Sequence, residues 1–369
     1  MKIIQISSYY PPHLGGQENV VQDLSQQLVD AGHTTHVLTS TKGGGRHGDS
    51  NEQGVAVYRM NAHEFGHAPI MPWFGAQLFK LASKGSIVHI HVGQAFTPEL
   101  VWLVSRLRHF PYIAELHIDF EPSGPVGFLL PLYKKFVLGR VLRGAAAVIV
   151  LNKKTMQIVR KNYQVPKKQI FLMSNGIDES YFLVKRKPIK KLPPKELRLL
   201  FVGRLSKQKN LPMFIEALCL TKQKVCVDIV GDGDQRSVIE KAIADAGLTN
   251  VTLHGRLARQ EVLDFYASCD AWVMPSLYEA QPLVLLEAMA ARIPILGTNV
   301  IGVAEHIWGA GVVVEPTPQA FAKGIERLHE NYAQLPELVN AGFEKAEKLR
   351  WRNLRKEYET LYEEVLANA

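Results

Sequence analysis

The feature that most constrains what this chain can fold into is its alternation of short β-branched runs with helical patterns. That alternation specifies parallel sheets covered by helices on both faces. It occurs twice. Runs at Lys2 to Ser7, Thr35 to Thr39, Val55 to Met60, Ile87 to His91, Tyr112 to His117, Ala146 to Leu151 and Gln169 to Ser174 form one set. Runs at Leu197 to Val202, Val225 to Val230, Val251 to His254, Ala271 to Pro275, Ile293 to Gly297 and Gly311 to Glu315 form the second. Between them, Lys185 to Glu196 holds three prolines and six lysine or arginine residues, which predicts an exposed linker. With 369 residues, 47% of them hydrophobic, the chain has material for two cores. The expected organisation is a Rossmann-like domain over 1–184, a linker at 185–196, a second Rossmann-like domain over 197–349, and a last helix over 350–369 that returns to the first domain. From Gln319 onward the pattern is helical, with Phe343, Ala346, Leu349, Trp351, Leu354, Tyr358, Leu361 and Tyr362 as an apolar stripe expected to pack back across both domains. Doubly wound domains bind ligands outside the carboxyl ends of their strands, so two facing domains would enclose a cleft there.

Several classes are disfavoured. Apolar runs such as Phe128 to Tyr133 and Ala145 to Leu151 fall far short of the roughly 20 residues that cross a bilayer. The opening Met1-Lys2-Ile3-Ile4-Gln5-Ile6-Ser7 turns polar too soon for a signal peptide, so the expected location is the cytoplasm. Cys219, Cys226 and Cys269 lack a Cys-x-x-Cys spacing and read as reduced cysteines rather than a disulfide framework or zinc knuckle. The net charge of +8 is unevenly spread: Pro122 to Ile177 has no Asp or Glu but ten Lys or Arg. A solvated surface is one reading. The sharper one is attraction of residues 122–168 to anionic lipid on the inner face of the cell membrane or to a phosphorylated acceptor, because Phe128, Leu129, Leu130, Leu132 and Phe136 lie among the charges. No nucleic-acid-binding motif accompanies the segment, so nucleic acid is not an expected partner.

The candidate chemistry lies at strand ends. After the first run, Tyr9-Tyr10-Pro11-Pro12-His13-Leu14-Gly15-Gly16 leads into a helical pattern, where glycines permit close backbone approach and free amides can meet phosphate. Alone that is weak. The second set repeats it, with Gly203-Arg204-Leu205-Ser206-Lys207-Gln208-Lys209 after Val202; Arg204 and Lys209 can neutralise a departing diphosphate as a divalent metal otherwise would. Pro275 to Ala290 then places Glu279 in a loop and Glu287 in a helix, eight residues on, so that both acids can face one ligand. Their bland reading is a helix-terminus charge and a partnered acid; an acid within so apolar a helix needs a partner, and ligand hydroxyls provide one.

Glu279-x7-Glu287 followed by Ala288-Met289-Ala290 and Ile293-Pro294 resembles the signature of the family 4 retaining glycosyltransferases, among them bacterial cell-envelope and polysaccharide enzymes. Gly15-Gly16, Asn175-Gly176-Ile177-Asp178, Gly203-Arg204 with Lys209, Ile229-Val230-Gly231-Asp232-Gly233 and Pro275-Ser276 extend the resemblance over nearly the whole chain. It implies the GT-B fold, two Rossmann-like doubly wound domains facing across a cleft, the first binding acceptor and the second a nucleotide sugar. It implies that Glu279 binds the donor sugar's hydroxyls and Glu287 the ribose. Arg204 and Lys209 would hold the diphosphate, with Gly15, Gly16, Gly203, Gln281 and Leu283 as further donor contacts, and His117 would lie against the transferred sugar. The implied reaction is metal-independent transfer, with retention, of a hexose or N-acetylhexosamine to a hydroxyl of a glycan or lipid-linked acceptor. A UDP-sugar is the expected donor, a GDP-sugar the alternative, and no separate cofactor is implied.

Two positions depart from the pattern. Ala280-Gln281-Pro282 stands where Gly-Phe-Gly is common, so Pro282 removes an amide that could have met the donor. Arg292 stands where a glycine usually ends the helix, and must adopt a left-handed conformation or change the cap. Rival readings are a GT-B epimerase or phosphorylase, a non-catalytic binding protein, and a zinc protease through His63-Glu64-x-x-His67. The last needs a helix that Gly66 and Pro69 discourage. His89 and His91 share one face of a strand, but two histidines make an incomplete metal site, and Asp232-Gly233-Asp234 fits a turn better than a metal-binding pair.

Overall fold

The computed structural model describes residues 1–13, 15–42, 44–65, 68–117, 130–189, 192–279 and 281–369. The chain forms two compact units, Met1–Gly176 with Trp351–Ala369, and Ile177–Arg350.

The first unit is built on β1 (Lys2–Ile6), β2 (Thr34–Ser40), β3 (Gly48–Glu52) and β4 (Val55–Met60), a hairpin of β5 (His63–Phe65) and β6 (Ala68–Ile70), then β7 (Ser86–Val92), β8 (Tyr112–Leu116), β9 (Ala147–Val150) and β10 (Ile170–Leu172). Eight strands form one sheet in the order β10-β9-β8-β7-β1-β2-β4-β3. Within this sheet, among the described residues, β3 alone runs antiparallel to its neighbour. Every residue of β7, β8 and β9 is buried, as expected of parallel strands covered on both faces. The helix Gly16–Asp30 covers one face with Val20, Val21, Leu24 and Leu28.

In the second unit, β11 (Leu197–Val202), β12 (Val225–Val230), β13 (Val251–Gly255), β14 (Ala271–Met274), β15 (Ile295–Thr298) and β16 (Val312–Val314) form a parallel sheet in the order β13-β12-β11-β14-β15-β16. In each sheet the strand order reverses beside its first strand, at β1/β7 and at β11/β14. Such switch points leave a crevice outside the strand ends, because the flanking connections depart to opposite faces. Tyr9 to Gly16 follows β1, Gly203 to Lys209 follows β11, and Pro275 to Glu279 follows β14.

Two expectations are corrected. The division falls after Gly176 rather than after residue 184. Ile177 donates its amide to Leu349 O at 2.8 Å and Tyr181 packs edge-on against Tyr266, so residues 177–184 belong to the second core. Nor is 185–196 simply an exposed linker, since Arg186 donates to the carbonyls of Tyr266 and Cys269. The C-terminal stripe is divided between the two units, as expected. Helices Pro318–Glu330 and Leu335–Glu347 belong to the second unit, whereas Trp351–Ala367 packs in the first against β7 and the helix Gly16–Asp30.

His63 and Glu64 lie on a strand paired antiparallel with β6, not on a helix, and His67 lies outside the described residues. Arg292 takes the left-handed conformation, φ 57°, with its guanidinium 3.7 Å from the centre of the Phe343 ring. Among the described residues no helix is long and apolar enough to cross a membrane.

Candidate active site

In the second unit the loops after β11 and β12 are pressed backbone against backbone. Gly203 donates its amide to Val230 O and Leu205 to Asp232 O, both at 3.0 Å. Gly231 has φ 134°, and a Cβ there would run into the Gly203 carbonyl. Glycine is therefore a steric requirement at Gly231. Arg204 leaves this loop exposed. A single 3-10 turn, Lys207–Lys209, then turns Lys209 toward the loop after β14, where its Nζ lies 2.7 Å from Glu279 Oε1.

That ion pair is largely buried, with 12% and 7% of the two side chains exposed. Gln208 ties the same loop through Tyr278 O at 2.7 Å and Glu279 Oε2 at 3.2 Å, and its carbonyl accepts from Leu277 N at 2.9 Å. Glu279 donates its amide to Ile301 O at 3.0 Å, beside Gly302 at φ 80°. Glu279 is thus held from three sides. The helix Leu283–Ala290 begins after Pro282, with Gln281 buried just before it and Glu287 buried within it. Burial and the nearby Glu287 charge together push the Tyr266 phenol far above its ordinary range. The structure brings Lys209 and Glu279 into contact, places Arg204 and Gly203 on the neighbouring loop, and sets Gln281 just before the next helix, Leu283 at its start and Glu287 within it.

In the first unit, Gly15 precedes the helix Gly16–Asp30 in extended backbone. The Glu18 carboxylate lies over it: a Cβ at Gly15 would come within 2.8 Å of Glu18 Cδ. Glu18 pairs with His13 at 2.9 Å, and His13 stacks on Tyr9. An anion therefore already occupies this helix start, where free amides and the helix dipole favour negative charge. Gln17 links the loop to the sheet through Ser7 Oγ and His91 O, both at 3.3 Å.

His117 follows β8, 11% exposed, with Nε2 2.9 Å from His91 Nδ1 and 3.4 Å from Glu115 Oε1. Burial holds His117 below its ordinary pKa despite the opposing pull of Glu115. Behind it stand His89, His91 and Glu115, whose ligand-type atoms all lie within 4.8 Å of one another. Glu115 completes the three-residue set that His89 and His91 alone did not, although these atoms are engaged with one another and with Gln5, Tyr358 and Tyr362. Sequence reasoning missed Gln208, Glu18 and Glu115. The signal for Glu115 was a carboxylate inside an apolar strand, which requires buried partners.

Comparison with known proteins identifies the family and the fold. The sequence pattern of Glycosyltransferase Family 4 matches residues 14–181, and that of Glycosyl transferases group 1 matches residues 185–346. An uncharacterized glycosyltransferase of Methanocaldococcus jannaschii is 27% identical over 98% of both chains. Sucrose-phosphate synthase from Thermosynechococcus elongatus superposes with a TM-score of 0.79 at 21% identity, over 100% of both chains. HepE of Anabaena, solved with UDP-glucose, superposes with a TM-score of 0.74 at 18% identity, over 100% of both chains. The two units, each built on a mainly parallel sheet covered by helices, have the GT-B fold, and the chain belongs to the group 1/family 4 glycosyltransferases, which transfer sugars from nucleotide-sugar donors.

Proposed function

We propose that the protein is a retaining, metal-independent glycosyltransferase that moves a hexose or N-acetylhexosamine from a UDP-sugar to a hydroxyl of a glycan or lipid-linked acceptor. The observation that carries this reading is the buried Lys209–Glu279 pair at the β11/β14 switch point. Pairing fixes both side chains before substrate arrives, so little reorganisation remains when charge develops on the leaving diphosphate. Glu279 is assigned to the sugar hydroxyls and Glu287 to the ribose. Lys209 and the exposed Arg204 are assigned to the diphosphate, with Gly203, Gln281 and Leu283 as further donor contacts. In the first unit Gly15, Gly16 and His117 are assigned to substrate binding. With two cations supplied by the chain, the leaving group's charge is met without a divalent ion. UDP is favoured over GDP because HepE, similar over its full length, was solved with UDP-glucose.

A lipid-linked acceptor is favoured by one surface of the first unit. Leu132, Phe136 and Val137 are exposed beside Lys134, Lys135 and Arg140, and the helix Thr97–Arg108, packed against this segment, exposes Leu103 and Leu107. Apolar side chains ringed by cations suit an anionic bilayer surface. Residues 122–129 of this segment lie outside the described residues.

The test is a thermal-shift panel of nucleotide sugars, followed by transfer to a lipid-linked glycan with the product's anomeric configuration read by proton NMR. A UDP-sugar should raise the melting temperature and the product should keep the donor's α configuration. Inversion, or conversion of the donor without any acceptor, would reject the reading.

A further inference from the structure

The donor and acceptor directions in the buried network behind His117 can be worked out group by group. His91 Nε2 lies 2.7 Å from Gln5 Oε1, the Gln5 amide nitrogen 3.3 Å from Tyr362 Oη, and Tyr362 Oη 2.8 Å from His89 Nδ1. His89 Nε2 lies 3.1 Å from Glu115 Oε2, somewhat out of line for a full hydrogen bond. Tyr358 Oη donates to the same oxygen at 3.2 Å. His117 Nε2 lies 2.9 Å from His91 Nδ1 and 3.4 Å from Glu115 Oε1, the latter an electrostatic approach rather than a formed hydrogen bond.

A ring of neutral imidazoles, an amide and a phenol could run its hydrogen bonds in either sense, because each of these groups can both donate and accept. An ionised carboxylate only accepts. Facing Glu115, His89 Nε2 and His117 Nε2 must both carry protons. His89 Nδ1 then accepts from Tyr362, Tyr362 accepts from Gln5, Gln5 Oε1 accepts from His91 Nε2, and His91 Nδ1 accepts from His117. Run in the opposite sense, the ring would set two bare nitrogens against the carboxylate.

We propose that Glu115 is a positioning residue for sugar transfer, acting through this ring to fix His117 as the Nε2–H tautomer. Nδ1 is thereby left bare to accept a hydrogen bond from a donor or acceptor hydroxyl. The proposal rests on the assignment of His117 to the substrate. It gives Tyr358 and Tyr362, on the C-terminal helix, a supporting role in the same chemistry. The charges agree with it. Burial opposes ionisation of Glu115, yet His117, His89 and His91 outweigh it and hold the carboxyl well below its usual range. Burial pushes the pKa of His91 and of His117 below the ordinary imidazole value, which favours their neutral forms. Beyond Glu115 and His89, His117 also feels the carboxylate of Glu18, at the start of the helix Gly16–Asp30.

The experiment is nitrogen NMR of the full chain labelled on histidine, with the His117→Ala spectrum identifying the His117 signals, together with steady-state kinetics of Glu115→Gln and His117→Ala. In the unsubstituted protein Nδ1 of His117 should be the bare, pyridine-type nitrogen. The side-chain amide that E115Q introduces can donate as well as accept, so in that variant His117 should sample both tautomers, and kcat should fall about tenfold while donor KM changes less than about twofold. A protonated Nδ1 in the unsubstituted protein overturns the proposal, and that spectrum decides alone should E115Q fail to fold. An E115Q with one tautomer and full kcat, beside an inactive His117→Ala, overturns the positioning role only. Full activity in His117→Ala overturns the substrate assignment beneath it.

Discussion

Gly302→Ala tests whether the loop that carries Glu279 is braced as the structure shows. Gly302 has φ 80°, and an added Cβ would sit 2.5 Å from the Glu279 carbonyl carbon and 2.9 Å from its Cβ. Two carbons need roughly 3.5 Å, so the Glu279 loop must retreat by about 1 Å. The left-handed backbone itself costs an alanine about 1–2 kcal/mol. With a similar amount for the displaced loop, whose Glu279–Ile301 hydrogen bond is strained, the loss is about 2–4 kcal/mol. A unit of this size should then melt roughly 4–16 °C lower. A shift of about 1 Å in a substrate-positioning group costs on the order of 10²-fold in turnover. Gly309→Ala is the matched control, because Gly309 has φ 71° but nothing within 4 Å of its added Cβ. It should lose only the backbone term and keep full activity. Differential scanning calorimetry and initial rates with a UDP-sugar measure both effects. Wild-type kcat in a Gly302→Ala protein that melts lower would show that the Gly302 contact does not position Glu279 for catalysis, and equal melting temperatures for the two variants would refute the steric argument.

Lys209→Met and Glu279→Gln should each lower kcat/KM by at least about 10²-fold, and each should also destabilise, because each removes one member of a buried pair. The double variant should recover stability but not activity; denaturant melts and kinetics separate the two, and recovery of rate would refute the donor assignment. Acidification from about pH 7.5 to about pH 5 should lower stability. Burial holds His91 and His117 below the ordinary imidazole pKa, so the unfolded chain takes up more protons below about pH 6.5 and the loss reaches at most ~1.4 kcal/mol per pH unit for each histidine. A guanidinium midpoint that stays level across that range would contradict this. Chelator should leave transfer unchanged, whereas loss of activity restored by added magnesium would count against charge neutralisation by Arg204 and Lys209.

Strand positions were legible wherever a run was apolar and β-branched, because burial on both faces imposes that composition on β1, β7, β9, β11 and β12. β3 was not. Its residues, Gly48-Asp49-Ser50-Asn51-Glu52, have no apolar face, since an edge strand need bury none. Three-residue β5 and β6 were too short to show a period. The partition after Gly176 escaped notice because a proline- and lysine-rich segment looks exposed whether or not one arginine anchors it to carbonyls. At the site, motif spacing located Lys209 and Glu279 at neighbouring strand ends, but nothing local announced that they touch. That contact depends on β11 and β14 being neighbours, a pairing between residues about 70 positions apart in sequence.

The C-terminal helix bears on how the chain is made. Tyr358 and Tyr362 supply partners to Gln5, His89 and Glu115, yet a ribosome reaches them only after the whole second unit has been synthesised. A nascent chain emerging from its N-terminal end must carry an acid and two imidazoles in an unfinished interior until the last helix docks. Assembly of the second unit can therefore be complete while the first remains open, and a chain ending at Arg350 would strand that polar cluster without its two phenols.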